Sequence, residues 1–147
     1  MEDWSRRAKK ALQNYKYLRV GLENYALDIK ELEAKLYGIR VAAADCTPVI
    51  GSGNKYEDSL LNCIDKLDAM NAKYEEYKAA LEKIQRGLDA LNETDALVLQ
   101  RFYLDDIAYS EAVDRLRGEL GYEERQIDRF RHRALVRFSL ARFLGDG

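Results

Sequence analysis

The 147-residue sequence contains few of the residues that build metal centres, disulfide frameworks and membrane spans. It has one proline, one tryptophan, one histidine and two cysteines. Cys46 and Cys63 form no metal-like cluster, and His132 has no second histidine to share a zinc ion with. No apolar run approaches the roughly 20 residues of a membrane-spanning helix. The N-terminus lacks the apolar core of a signal peptide, so we expect a cytoplasmic protein with reduced thiols.

The sequence also lacks the usual arrangements of catalytic residues. It shows no nucleophile beside a base, no glycine-rich phosphate loop and no pair of catalytic carboxylates. Most of its acids fall at positions that face solvent in a heptad pattern, where hydration alone explains them. We therefore expect a protein that is not an enzyme and that needs neither a metal nor a cofactor.

Strict alternation of β-branched residues is absent, and helix-forming residues dominate, so the sequence predicts an all-α fold. From Trp4 to Ile39 the apolar residues repeat every seven positions. One set is Ala8, Tyr15, Leu22, Ile29 and Leu36, and the other, three residues later, is Ala11, Leu18, Tyr25, Leu32 and Ile39. Such a repeat indicates a helix with a narrow seam for a partner helix, and the positions between the seam residues are expected to form a solvated back face.

The repeat returns in a second segment of similar length. One set is Leu60, Leu67, Tyr74, Leu81 and Leu88, and the other is Cys63, Met70, Tyr77, Ile84 and Leu91. A loop over Asp45–Asn54, with Pro48 and two glycines, separates the segments. The matched lengths and the short loop predict a long antiparallel hairpin over residues 1–91. Because two narrow seams bury little else, we expect a second copy to pack on this hairpin and form a homodimer.

Residues 92–147 are predicted to form a small helix-turn-helix domain. Asn92 and Asp95 have the spacing of a capping box, which starts a helix that runs to about Leu104. A second helix is expected from Tyr109 to Gly118 or Leu120, and Gly121 ends it. The last helix runs from Glu123 to about Leu144. Gly87, just before this region, weakens the preceding helix and is a candidate hinge.

Charge changes sign at the start of the last helix. Residues 105–124 carry seven acids and two arginines, whereas residues 125–142 carry six arginines and one acid. On a helical projection the apolar residues Ile127, Phe130, Ala134, Leu135 and Phe138 form one side. Arg125, Gln126, Arg129 and Arg133 lie on the other side. Arginine can bind guanine and glutamine can bind adenine, so we predict base contacts by Arg125, Gln126 and Arg129 and phosphate contacts by Arg133 and Arg137.

The segment LNETDALVLQRFYLDDIAYSEAVDRL and the following LGYEERQIDRFRHRAL resemble region four of bacterial sigma factors. With the preceding GSGNKYEDSLLNCIDKL, the sequence is still more similar to phage transcriptional regulators of the RinA and ArpU type, over residues 52–135. The resemblance implies a phage or prophage activator of late and packaging genes. Such a protein would act in a bacterial host cell on double-stranded promoter DNA, with host RNA polymerase as a further candidate partner.

The sequence departs from that family in two places. Glu123 stands where the family usually has a serine that caps the reading helix, and glutamate is a poor cap. Residues 117–120 look like an insertion of about four residues, which is roughly one helical turn. Two alternatives to a regulator also remain open. One is a DNA-packaging protein of the small-terminase type, and the other is a helical interaction protein whose tail no longer binds DNA.

Overall fold

The computed structural model describes residues 3–45 and 53–144, and within these ranges all regular structure is helical. The all-α prediction is therefore confirmed. None of the described helices combines the length and the hydrophobicity that a membrane span requires. The five α-helices are α1 (Asp3–Asp45), α2 (Gly53–Asp89), α3 (Glu93–Leu99), α4 (Tyr109–Leu120) and α5 (Glu124–Phe143), with a π-helical turn over Gln100–Leu104 between α3 and α4.

The long helices extend further than the heptad pattern predicted. Asp45 ends α1, and Gly53 and Asn54 begin α2, although all three residues were assigned to the loop. A helix can continue past the last residue of its apolar seam, because its backbone hydrogen bonds do not depend on that seam. The rest of the predicted loop, with Pro48 and Gly51, lies outside the described residues.

The chain divides into two compact units that do not coincide with residues 1–91 and 92–147. One unit comprises Met1–Leu18 and Ala80–Gly147, and the other comprises Arg19–Ala79. The beginning of α1 and the end of α2 therefore belong to the same unit as α3, α4 and α5. The physical reason is that apolar side chains from these two segments are buried together with side chains of α5.

The unit of residues 19–79 is an antiparallel helix pair. The ring centroids of Tyr25 and Tyr77 are 5.2 Å apart in an edge-to-face contact. Further along α1, the Cys63 thiol donates a hydrogen bond of 3.5 Å to the carbonyl oxygen of Leu32. Residues later in α1 thus contact residues earlier in α2, so the two helices run in opposite directions. Cys63 is buried in the seam, which confirms its prediction as a small core residue.

The core of the other unit consists of two apolar clusters. The larger cluster joins α1, α2, the end of α3 and α5 through Ala8, Leu12, Ile84, Leu88, Leu99, Ala134, Leu135 and Phe138. The smaller cluster contains Val98, Leu116 and Ile127, one residue from each of α3, α4 and α5. Leu12 is almost fully buried although it lies outside the predicted seam, because α5 covers a side of α1 that a two-helix seam would leave in water.

Gly87 is a position of close packing between α2 and α5. A β-carbon built on this residue would lie 2.9 Å from Cε2 of Phe138, whose side chain is fully buried. Sequence reasoning treated Gly87 as a weak point of the helix and a candidate hinge. In the structure the missing side chain lets the Phe138 ring approach the α2 backbone.

We predict that Gly87→Ala destabilises the protein by up to about 2 kcal/mol. Overpacking against a buried ring costs about 1–3 kcal/mol, which outweighs the roughly 1 kcal/mol that alanine contributes to a helix. Chemical denaturation followed by circular dichroism measures the change. The control is Gly118→Ala in α4, where a β-carbon would meet nothing within 4 Å and should stabilise the protein. A stabilised Gly87→Ala variant would contradict this packing role.

Candidate nucleic-acid interface

The first helix of the predicted reading domain begins at a side-chain cap, as predicted. The Asn92 side-chain oxygen accepts a hydrogen bond of 2.8 Å from the backbone nitrogen of Asp95. Asp95 was expected to complete the capping box by returning a hydrogen bond to Asn92. That half of the prediction is wrong, because the carboxylate accepts hydrogen bonds from Arg133 and Arg137 of α5. Asp95 thus connects the start of α3 to α5.

The π-helical turn after α3 places Arg101 beside α4. The turn is closed by a backbone hydrogen bond of 2.9 Å from the nitrogen of Asp105 to the oxygen of Gln100. Arg101 donates to both carboxylate oxygens of Glu119, at 2.9 and 3.0 Å, and to Asp105 at 2.7 Å. These charge-assisted hydrogen bonds raise the pKa of Arg101 and lower that of Glu119. Two acids that precede the basic helix are therefore already paired within the domain.

The connection between α4 and α5 is a tight turn. Gly121 has φ of 74°, and its backbone nitrogen donates to the carbonyl oxygen of Arg117, so it ends α4 as predicted. Tyr122 packs edge-to-face on Phe130, with ring centroids 5.0 Å apart. Glu123 occupies the N-cap position of α5 without a side-chain cap hydrogen bond. Its carboxylate lies 3.7 Å from the Arg117 guanidinium. The Arg117 guanidinium therefore offsets part of the negative charge of Glu123.

The predicted inner face of α5 is confirmed. Ile127, Ala134, Leu135 and Phe138 are buried, and Phe130 is half-buried. The predicted reading residues lie on another side of the helix, because positions three or four apart in a helix share a face. Burial of this apolar side fixes which side of α5 is turned to solvent.

The five predicted DNA-binding residues fall into two groups. Arg125, Gln126 and Arg129 are exposed on the first half of α5, and neither arginine forms an ion pair with another described residue. Their donors and acceptors are available to an external partner, and the helix positions place them within little more than one turn of each other. The structure therefore brings the three predicted base-reading residues together on one exposed surface.

Arg133 and Arg137 form the second group, and both bind Asp95. Arg133 donates to one carboxylate oxygen at 2.8 Å, and Arg137 donates to the other at 2.6 Å. Asp95 is completely buried, whereas the side chains of Arg133 and Arg137 are 40% and 48% exposed. Their exposed parts can still meet a phosphate, so that role stays a prediction. Sequence reasoning missed their structural role because Asp95 looked like a capping residue.

A basic groove lies beside Arg129, at a place that no sequence pattern indicated. It is a surface cavity of about 380 Å³, and α1 contributes Ser5 and Lys9 to it. From α5 it is lined by Asp128, Arg129, Arg131, His132 and Leu135. Asp128 is neutralised by Arg131 at 2.6 Å, and Lys9 and Arg129 of the lining form no ion pair with another residue that the structure describes. Local patterns could not reveal this groove because α1 and α5 meet only in the folded chain.

Aromatic contacts hold two of the groove residues, His132 and Arg131, in place. The His132 and Trp4 rings meet in an edge-to-face arrangement, with their centroids 5.8 Å apart. The Arg131 guanidinium lies 5.2 Å from the ring centroid of Phe102 and 5.4 Å from that of Tyr109. No group of three or more potential metal ligands occurs in the described parts of the chain. The groove itself presents the hydrogen-bond donors of lysine, arginine and serine side chains.

We predict that Asp95→Asn lowers the free energy of unfolding by about 1–3 kcal/mol, because a buried charged partner of two arginines is lost. The lower end is expected, since both guanidinium groups remain half in water. Urea denaturation measures the effect. Asp114→Asn, an exposed acid of α4, is the control and should change stability by less than about 0.5 kcal/mol. Equal stability of the two variants would show that the Asp95 pairing contributes nothing.

No family model, curated protein or solved structure matches the chain. The function of the chain must therefore be inferred from its own residues. The most informative of these are the exposed side chains on the first half of α5, the groove beside them and the turn that precedes them.

Proposed function

We propose that the protein is a DNA-binding transcriptional regulator that reads double-stranded DNA with the first half of α5. One observation carries this proposal. Arg125, Gln126 and Arg129 are exposed together, directly after a tight turn, on a helix whose opposite face is buried. A helix held in this way can enter the major groove of DNA with its N-terminal residues towards the bases.

The chemistry of these side chains suits base edges. An arginine can donate two hydrogen bonds to O6 and N7 of guanine, and a glutamine can bind N6 and N7 of adenine. The groove beside Arg129 adds Lys9 and Ser5, which are suited to a backbone phosphate. Base readout and phosphate contact would then occur on adjacent parts of one surface.

The acidic residues before α5 do not argue against this proposal. Glu119 and Asp105 are bound by Arg101, and Glu111 is bound by Arg115 at 2.8 Å. Negative charge that is already compensated repels a polyanion less than its formal count implies. Glu124 stays exposed next to Arg125, and its charge would limit affinity for phosphates at the helix start.

The narrower role, activation of late and packaging genes in a phage or prophage, rests on the resemblance to the RinA and ArpU regulators. In that role two copies would bind paired half-sites, and RNA polymerase would be a further partner. A protein of the small-terminase type would instead form a ring on packaging sites. Light scattering on the complex with DNA separates these roles, because a ring contains many more chains than a dimer.

We predict that Arg125→Ala combined with Arg129→Ala weakens binding to a duplex selected by the wild-type protein from a random pool. Each base contact contributes about 1–3 kcal/mol, so the double variant should lose at least roughly 30-fold in affinity. Fluorescence anisotropy measures binding, and circular dichroism confirms the fold. The control, Arg19→Ala with Arg40→Ala, removes the same charge from exposed positions in residues 19–79. Equal losses in both variants would indicate non-specific attraction and would overturn the proposal.

A second prediction concerns the groove. Lys9→Ala should weaken binding to different duplexes by similar factors and should lower the slope of log affinity against log salt by about 1, as the loss of one phosphate contact requires. The control is Lys83→Ala, an exposed lysine on α2. An unchanged slope for Lys9→Ala would remove the groove from the DNA interface and would leave the role of Arg125 and Arg129 untouched.

A further inference from the structure

A second apolar repeat runs along α1 within residues 19–79, on a side that the seam with α2 does not use. Its members, which we call the outer stripe, are Val20, Leu27, Ala34 and Val41, each seven residues after the last. Val20, Leu27 and Val41 are 47%, 59% and 42% exposed, and Ala34 is exposed as well. The back face of α1 is exposed as predicted, but along this line it is apolar.

The outer stripe has the same seven-residue period as the inner seam, so it can align with a second helix. A straight α-helix has 3.6 residues per turn, so a strict seven-residue repeat stays on one side only when the helix winds around another helix. The partner of the inner seam is α2, as the contact of Tyr25 with Tyr77 shows. Isolated exposed leucines are common and need no explanation, but four apolar residues in one heptad position share one side of the helix.

We propose that a second copy of this chain packs on the outer stripe, with the two α1 helices parallel. Each apolar residue would then meet its own counterpart across a two-fold axis that lies along the helices. This contact buries apolar surface that one chain leaves in water. The inference is independent of DNA binding, because it depends on no residue of the candidate nucleic-acid interface.

The residues that flank the stripe favour a second copy in this orientation. One flank has Glu23, Lys30 and Tyr37, and the other has Asn24, Glu31 and Gly38. A two-fold axis along the helices places the first flank of one copy against the second flank of the other. Lys30 then meets Glu31 of the second copy, and the reverse pair forms at the same level. Neither Lys30 nor Glu31 has an ion-pair partner within the described part of its own chain.

Tyr37 and Gly38 complement each other in the same way. Tyr37 is 72% exposed, and a β-carbon on Gly38 would meet nothing within 4 Å. In the parallel pair the tyrosine ring of one copy would cover the open surface at Gly38 of the other. If the two α1 helices were instead antiparallel and centred on the middle of the stripe, each flank would face the same flank of the other copy. Lys30 of one copy would then meet Lys30 of the other. Like charges in contact disfavour that arrangement.

Sedimentation of the full chain over a concentration series tests the proposal. The wild-type protein should sediment as a dimer, and Leu27→Lys should sediment as a monomer at the same concentrations, because a charge would be buried in the centre of the stripe. The control is Leu61→Lys, since Leu61 is an equally exposed leucine, at 57%, on α2. It should leave the dimer intact. A monomeric wild-type protein, a dimeric Leu27→Lys variant or equal losses in both variants would overturn the proposal.

A charge exchange tests the orientation. Lys30→Glu places two glutamates together twice in the parallel dimer and should weaken it roughly 3- to 30-fold, as expected for two exposed charge pairs. The double variant Lys30→Glu with Glu31→Lys restores both pairs and should recover wild-type association. If the double variant stays as weak as the single one, the parallel arrangement is overturned. Circular dichroism of each variant distinguishes a lost dimer from a lost fold.

Discussion

The buried carboxylate of Asp95 forms the interaction on which the arrangement of α5 depends. The backbone nitrogen of Asp95 donates a hydrogen bond to the Asn92 side chain, so the start of α3 fixes where the Asp95 carboxylate lies. A fully buried charge must be compensated, and here Arg133 and Arg137 of α5 compensate it. These bonds hold the second half of α5 against the first turn of α3. Because α5 is a continuous helix, they also set the direction of its exposed first half.

The ion pairs with Asp95 also reduce the amount of positive charge that α5 leaves unpaired. The six arginines of residues 125–142 read as one electropositive surface in the sequence. In the folded chain Arg133 and Arg137 bind Asp95, and Arg131 binds Asp128. The Arg142 guanidinium lies over the ring of Phe143. The charge available to a partner is therefore concentrated at the start of the helix. Under the proposed function, this distribution would favour recognition of a specific sequence over general attraction to a polyanion, because few exposed donors with defined positions discriminate between bases.

α1 combines several roles because each of its sides has a different neighbour. Its first turns are buried with α2 and α5 through Ala8 and Leu12, and Lys9 borders the groove near Arg129. Within residues 19–79 its inner seam packs on α2, and its outer stripe faces solvent. Within the described residues α2 covers only the inner seam, and the outer stripe is the side on which a second copy is proposed to pack.

The sequence by itself determined the elements of this protein. Heptad spacing predicted α1 and α2 and their antiparallel packing, the Asn92 cap and Gly121 predicted boundaries of α3 and α4, and the helical period predicted the buried face of α5. These features depend on residues close together in the chain, so local patterns reveal them. Only the tertiary structure decided that Asp95 binds two arginines, that Lys9 lies near Arg129 and that Gly87 admits Phe138. Each of those contacts joins distant segments, and its energy depends on a distance that no spacing in the sequence records.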